Sequence, residues 1–192
     1  MPLTTLDPVT ALIVIDLQKA IVSREAAHPV ADVVAKAAKL AAAFRKAGKP
    51  VVLVNVAGMA PGRSDAMPEG GAALGEFPAE WTELAPELDA QPSDHLVTKR
   101  TWGAFVKTGL EDWLHARGVT QVVLAGISTS IGVESTARQA YEAGFNVTLA
   151  TDAMTDSQRQ AHDNSVSLIF PRLGETGTAA DVIALLDGGE AR

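Results

Sequence analysis

Short runs of unbroken apolar residues recur along this chain and alternate with stretches of helical spacing. ALIVID (Ala11 to Asp16), VVLVNV (Val51 to Val56) and VVLAG (Val122 to Gly126) lack the polar alternation of a half-exposed strand. That is the pattern of strands covered on both faces, as happens where helices pack on each side of a parallel sheet. Between the first two runs, Val30, Val33, Val34, Ala37, Leu40, Ala41 and Phe44 fall at helical spacing, with Lys46 in the last turn and Gly48 as the stop. HLVTK (His95 to Lys99) reads as a shorter strand, followed by a helix expected from about Val106 to Arg117. The residues after Gly126 open a helix that ends at Gly144, and NVTLATDAM reads as a fifth strand closed by Asp152. SQRQAHDNSVSLIF reads as a helix with Ser157 as N-cap, PRLGET as a short edge strand, and AADVIALLDGG as a last helix. This alternation predicts an α/β fold: a Rossmann-like three-layer αβα sandwich with a mainly parallel sheet of five or six strands. At 192 residues and 47% hydrophobic, the whole chain, 1–192, is expected to form a single domain.

Several function classes are disfavoured. A formal net charge of −7 without a Lys/Arg cluster argues against a nucleic-acid partner. The N-terminal MPLTTLDPVTALIVID has no basic leader, and its apolar run ends at Asp16, so neither signal peptide nor membrane anchor is expected and the expected location is cytoplasmic. There is no cysteine, which excludes disulfides, thiolate metal sites and a cysteine nucleophile. Residues 57–91 are rich in Pro and Gly and carry Phe77 and Trp81. They read as a long ordered cover with a short helical turn at PAEW, Pro78 taking its first position.

In open parallel sheets, ligands bind beyond the carboxyl ends of the strands where strand order switches. Asp16 closes the first strand, Lys99 closes the third, and the turn Ser128 to Gly132 follows the fourth. That turn leads into a helix N-terminus, whose unpartnered amides favour negative charge. Ser128, Thr129 and Ser130 equally suit plain N-capping. With the first and fourth strands adjacent, a carboxylate, an ammonium and a nest of backbone donors would meet in one crevice.

These motifs resemble the isochorismatase-like hydrolases, a family that includes nicotinamidases and N-carbamoylsarcosine amidases. ALIVIDLQ is similar to the family's first strand, TKRTWGAFVKTGLEDWL to its lysine motif, and VVLAGISTSIGVESTARQAYEAGFNVTLATDAMTD to its signature stretch. The resemblance spans nearly the whole chain. It implies catalytic roles for Asp16 and Lys99, and a cis peptide between Ile127 and Ser128. Gly132 stands where most members carry the nucleophilic cysteine, so the resemblance is to the isochorismatase branch, whose aspartate acts as a general acid on a vinyl ether without a covalent intermediate. The family's tyrosine aligns with Ser128, and its Arg-Tyr pair with Thr101 and Trp102, so isochorismate itself is not the expected substrate. Metal-binding members carry Asp-x-His after the second strand; here the segment reads Asn55-Val-Ala-Gly-Met59, and neither metal nor cofactor is expected.

The expected activity is therefore non-covalent acid/base hydrolysis of a small, anionic metabolite by direct water attack. Asp16 is the proton donor or base, Lys99 sets its charge state and holds an anionic group of the ligand, and the backbone amides of Ser128 and Gly132 hold developing negative charge. Gln18, Trp102, Phe105 and Thr129 are candidate substrate contacts, with loop-stabilising or packing roles as alternatives. Asn55 is expected to cap its own turn, Asp152 to order the next loop, and Glu134 with Arg138 to form an exposed ion pair. His28, His95, His115 and His162 show no ligand spacing. The resemblance also implies a homo-oligomer, dimer or tetramer. A lyase or isomerase using the same acid and lysine is a rival reading. A second rival is a catalytically silent member that binds a small metabolite or serves as a protein-interaction subunit.

Overall fold

In the computed structural model, residues 3–59, 65 and 77–188 are described. Their strands are β1 (Thr10–Ile15), β2 (Val51–Val56), β3 (His95–Lys99), β4 (Gln121–Ile127), β5 (Asn146–Thr155) and β6 (Glu175–Gly177). They form one six-stranded sheet in the order β3-β2-β1-β4-β5-β6, and every pairing is parallel. The chain builds outward from β1 to β3, then returns to the other side of β1 to lay down β4. The switch in strand order thus falls between β1 and β4, which pair from Thr10↔Gln121 to Ile15↔Gly126.

Successive residues of the central strands serve opposite cores, as the two-residue strand period requires. Leu12, Val14, Leu53 and Val123 pack with Val33, Ala37, Leu40 and Phe44 of α2 (Val30–Lys46) and Val182 of α8 (Ala179–Leu186). Ile13, Ile15, Val52 and Leu124 pack on the other side with Leu110 and Leu114 of α4 (Leu110–His115), Val133, and Ala137 and Ala140 of α5 (Glu134–Glu142). Both faces of β1 and β4 are therefore sealed, which is why their sequences read as unbroken apolar runs. The remaining helices are short: α1 (Lys19–Val22), α3 (Ala79–Thr82), α6 (Arg159–Asn164) and α7 (Phe170–Leu173). No helix among the described residues is long and apolar enough to cross a membrane.

Several local expectations are corrected. The helix expected from Val106 begins only at Leu110, because Lys107 has φ 57° and the Thr108 hydroxyl bonds the carbonyls of Ala104 and Phe105. The helix expected over 157–170 is split into α6, a π-helical segment Ser165–Ile169, and α7. Ser157 does not cap it; Gln158 holds the N-cap position, with its amide on the Asp156 carboxylate at 3.3 Å. β5 continues past Asp152 to Thr155, and Asp152 accepts from the Ala179 amide at 2.7 Å, tying β5 to the start of α8. Pro78 is the N-cap of α3 rather than its first residue, and α1 went unforeseen because a single turn has too few residues to show a period. Of the expected cover, residues 60–64 and 66–76 lie outside the described residues.

Candidate active site

Asp16 follows directly on β1 and takes a left-handed backbone conformation, φ 52°. Its amide bonds the Val54 carbonyl at 2.9 Å, so the turn away from the sheet is anchored to β2. Left-handed geometry is uncommon for a side chain other than Gly, Asn or Asp. Here it follows a strand held on both edges.

Lys99 lies at the end of β3, two strands from β1, a span of about 10 Å at normal strand spacing. Its long side chain crosses the end of β2 and places Nζ 2.7 Å from Asp16 Oδ2. The ammonium also donates to the Thr101 carbonyl at 3.1 Å. Both groups are removed from solvent, at 4% exposure for Asp16 and 2% for Lys99. Burial pushes the Asp16 carboxyl up from its ordinary 3.8 to about 6, against the opposing charge and hydrogen bond of Lys99. The second carboxyl oxygen, Oδ1, is buried and has no hydrogen-bond partner. A buried polar atom left unpaired is costly, so Oδ1 is the oxygen of this carboxyl that no protein group engages, whether it carries a proton or accepts one.

The turn after β4 lies beside this pair. The Ile127–Ser128 peptide is cis, and the residues Thr129–Val133 form a π-helical turn leading into α5. A Cβ built on Gly132 would stand 3.2 Å from Asp16 Oδ2 and 2.9 Å from Ile15 Cγ2. The position thus faces the carboxylate directly, and the Ile15 methyl would have to shift to admit any side chain there. The amides of Ile131 and Val133 bond the Ser128 carbonyl at 3.2 and 3.1 Å, and that of Ser130 bonds Asp156 Oδ2 at 2.8 Å.

Asp16, Lys99, Ser128 and Gly132 line one cavity of about 380 Å³, at the low end of the size range of small-molecule sites. Its wall is mostly apolar, with Ile21, Met59, Phe77, Trp81, Trp102 and Ile131. Gln18 also lines it, but its amide is committed: Nε2 donates to the Val56 and Trp81 carbonyls, and Oε1 accepts from the Val56 amide at 2.7 Å. Gln18 therefore holds the wall together. Trp102 faces the cavity at 63% exposure, whereas Phe105 is not among its lining and packs on Phe145, with ring centroids 6.0 Å apart. Thr129 is fully buried behind the turn, its hydroxyl 2.8 Å from His162 Nδ1, and does not reach the cavity either.

Other side chains are placed differently from their expected roles. Asn55 reaches across to the Thr82 carbonyl at 2.8 Å instead of capping its own turn. Glu134 does bond Arg138, but it is largely covered and also accepts from the Ser165 hydroxyl at 2.6 Å. His28 and His162 come together with ring centroids 4.6 Å apart; burial, then the neighbouring His28, lowers the His162 pKa. Asp156 was missed entirely: buried, it bonds both the amide and the hydroxyl of Ser130 at 2.8 Å and so fixes the turn. Arg24, at the cavity rim, was missed as well. No period or motif marks either residue, since each matters through a contact far along the chain. Among the described residues, no group of three His, Asp or Glu side chains is placed to hold a metal ion.

Residues 10–181 match the family described as Isochorismatase domain. The chain is 42% identical over 180 residues to YwoC of Bacillus subtilis (strain 168), an uncharacterized isochorismatase family protein, covering 91% of this chain and 92% of that one. It is 30% identical over 187 residues to maleamate amidohydrolase of Pseudomonas putida, covering 92% and 86%. Among solved structures, an isochorismatase family protein from Burkholderia thailandensis superposes with a TM-score of 0.88 at 43% identity, covering 96% of this chain and 98% of that one. On the strength of the family match and these relatives, the chain belongs to the isochorismatase family of hydrolases.

Proposed function

We propose that this hydrolase acts on a small, anionic metabolite by acid/base catalysis with direct attack of water, and forms no covalent intermediate. The observation that carries the reading is the Asp16 carboxyl. It is buried, raised to about 6, bonded through one oxygen to Lys99, and unpartnered at the other. A group tuned to that range exchanges a proton readily near neutral pH. Where a thiolate would be needed for an acyl-enzyme, the chain offers Gly132 and no cysteine.

On a vinyl ether, Asp16 Oδ1 donates its proton to the terminal alkene carbon. Water then adds to the resulting oxocarbenium carbon and returns a proton to the carboxylate. Lys99 stabilises the carboxylate between these steps, and the amides of Ser128 and Gly132 hold negative charge on the substrate. The hemiketal so formed breaks down to a ketone and an alcohol.

Purified protein is expected to hydrolyse at least one member of a panel of vinyl ethers, esters and amides of small acids. Lys99→Met is expected to lower turnover by about 10²-fold or more, as for loss of a group that sets a catalytic proton. No turnover across the panel, or unchanged turnover in folded Lys99→Met, overturns the reading.

The pH profile tests the role of the acid. A proton donor is active only while protonated, so kcat/KM should fall as pH rises through about 6. Removing the Lys99 cation removes an influence that lowers the Asp16 pKa, so the residual activity of Lys99→Met should lose its limb at higher pH. A rate that instead rises through pH 6 would make Asp16 the base.

A further inference from the structure

We propose that Arg24 anchors the carboxylate of the substrate at the cavity rim, so that the site selects acids with a compact apolar body over their neutral analogues. This rests on the reading of the cavity as a substrate site and adds the substrate class.

The argument starts from charge. The chain has a formal net charge of −7, yet the ionisable side chains among the described lining are two cations, Arg24 and Lys99, against one carboxylate, Asp16. Lys99 is already engaged by Asp16, so Arg24 carries the unbalanced charge. Its backbone follows α1, with its amide on the Ile21 carbonyl at 3.1 Å, and α1 is itself tied to the wall by the Lys19 amide on the Glu83 carbonyl at 2.8 Å. The nearby Lys19 side chain is paired with Glu83, and Arg45, Arg138 and Arg159 are also engaged. Among the described residues, the Arg24 guanidinium has neither ion pair nor hydrogen bond.

A guanidinium presents a planar fork that matches a carboxylate in two parallel bonds. The cavity that holds both Arg24 and Asp16 is also walled by Met59, Phe77, Trp81 and Trp102. The ligand that satisfies all three regions has a carboxylate at the rim, an apolar body against the aromatics, and its reacting group at Asp16. Polar ends that fix orientation and an apolar middle are the usual division of labour in small-molecule sites.

Equilibrium binding tests this without any turnover. Titration of the full-length protein with benzoate, benzamide and acetate, read by tryptophan fluorescence at pH 7.5, separates the charge from the apolar body. Benzoate is expected to bind at least about 10-fold more tightly than benzamide or acetate, the difference made by one charge-assisted contact. Arg24→Gln should bring benzoate down to the benzamide level, and Arg24→Lys should keep part of the preference. No saturable benzoate binding, no preference over benzamide, or a preference that survives Arg24→Gln overturns the proposal. Hydrolysis failing while the Arg24-dependent preference holds would count against the catalytic reading alone; hydrolysis of acids and neutral analogues with equal kcat/KM in wild type and Arg24→Gln would count against the anchor alone.

Discussion

Asp16→Asn is expected to lower kcat/KM by about 10³-fold or more while leaving the protein folded. The asparagine side chain keeps the volume of the carboxyl, and its oxygen can still accept from Lys99 Nζ, which lies 2.7 Å from Asp16 Oδ2. What it cannot do is give up a proton to the substrate and take one back. The limb near pH 6 should vanish from any residual rate, because the group that titrates there is gone. Benzoate affinity should persist or rise in the same variant, since an anion has been removed from a cavity proposed to hold one. Residual turnover within tenfold of wild type in a folded Asp16→Asn variant would end the acid/base assignment. Lost turnover with retained binding would separate chemistry from recognition, and would also distinguish the enzyme from a silent binder, which has no turnover to lose.

Gly126→Ala is expected to destabilise the fold by about 3 kcal/mol or more, read as a fall in the urea midpoint or loss of soluble protein. Gly126 sits opposite Ile15 in the β1–β4 register, with φ 123°, a conformation that L side chains rarely adopt. A Cβ there would lie 2.0 Å from the Ile15 carbonyl oxygen and 2.6 Å from its nitrogen, both backbone atoms inside a strand that cannot move aside cheaply. Gly48→Ala is the control. It also has positive φ, at 67°, but nothing lies within 4 Å of its would-be Cβ. It should cost only about 1 kcal/mol. Equal midpoints for the two variants would show that the close approach of β4 to β1 is not what Gly126 provides. The same contact positions the site, because Ile15 is followed directly by Asp16.

How far the site was legible depended on what kind of contact each residue makes. Asp16 and Lys99 were readable because a polar residue ending an apolar run must lie at the rim of the sheet, where clefts form. That the two would meet was expected, but the direct bond between them was not legible, since it depends on β3 lying two strands from β1 and on Lys99 crossing the end of β2. Trp102 and Phe105 looked equivalent in sequence. The backbone at Ala104 and Phe105 is pinned to α5 by the Thr136 hydroxyl and the Gln139 side chain, both at 3.1 Å, which leaves Trp102 on the cavity and turns Phe105 toward Phe145. Thr129 belongs to the right turn, but the π-helical geometry buries it against His162. No one-dimensional pattern reports which way such a side chain points.

By itself, the sequence determined the layered α/β architecture, because burial on both faces forces an unbroken apolar run and helical burial forces its own period. It also determined that no thiolate chemistry is available, because there is no cysteine to supply it. Tertiary structure alone decided that the Asp16 carboxyl is raised to about 6 with one oxygen unpartnered, and that Arg24 faces the same cavity. Desolvation and Coulomb interaction are properties of surroundings assembled from distant segments, and those surroundings exist only once the strands have taken their order in the sheet.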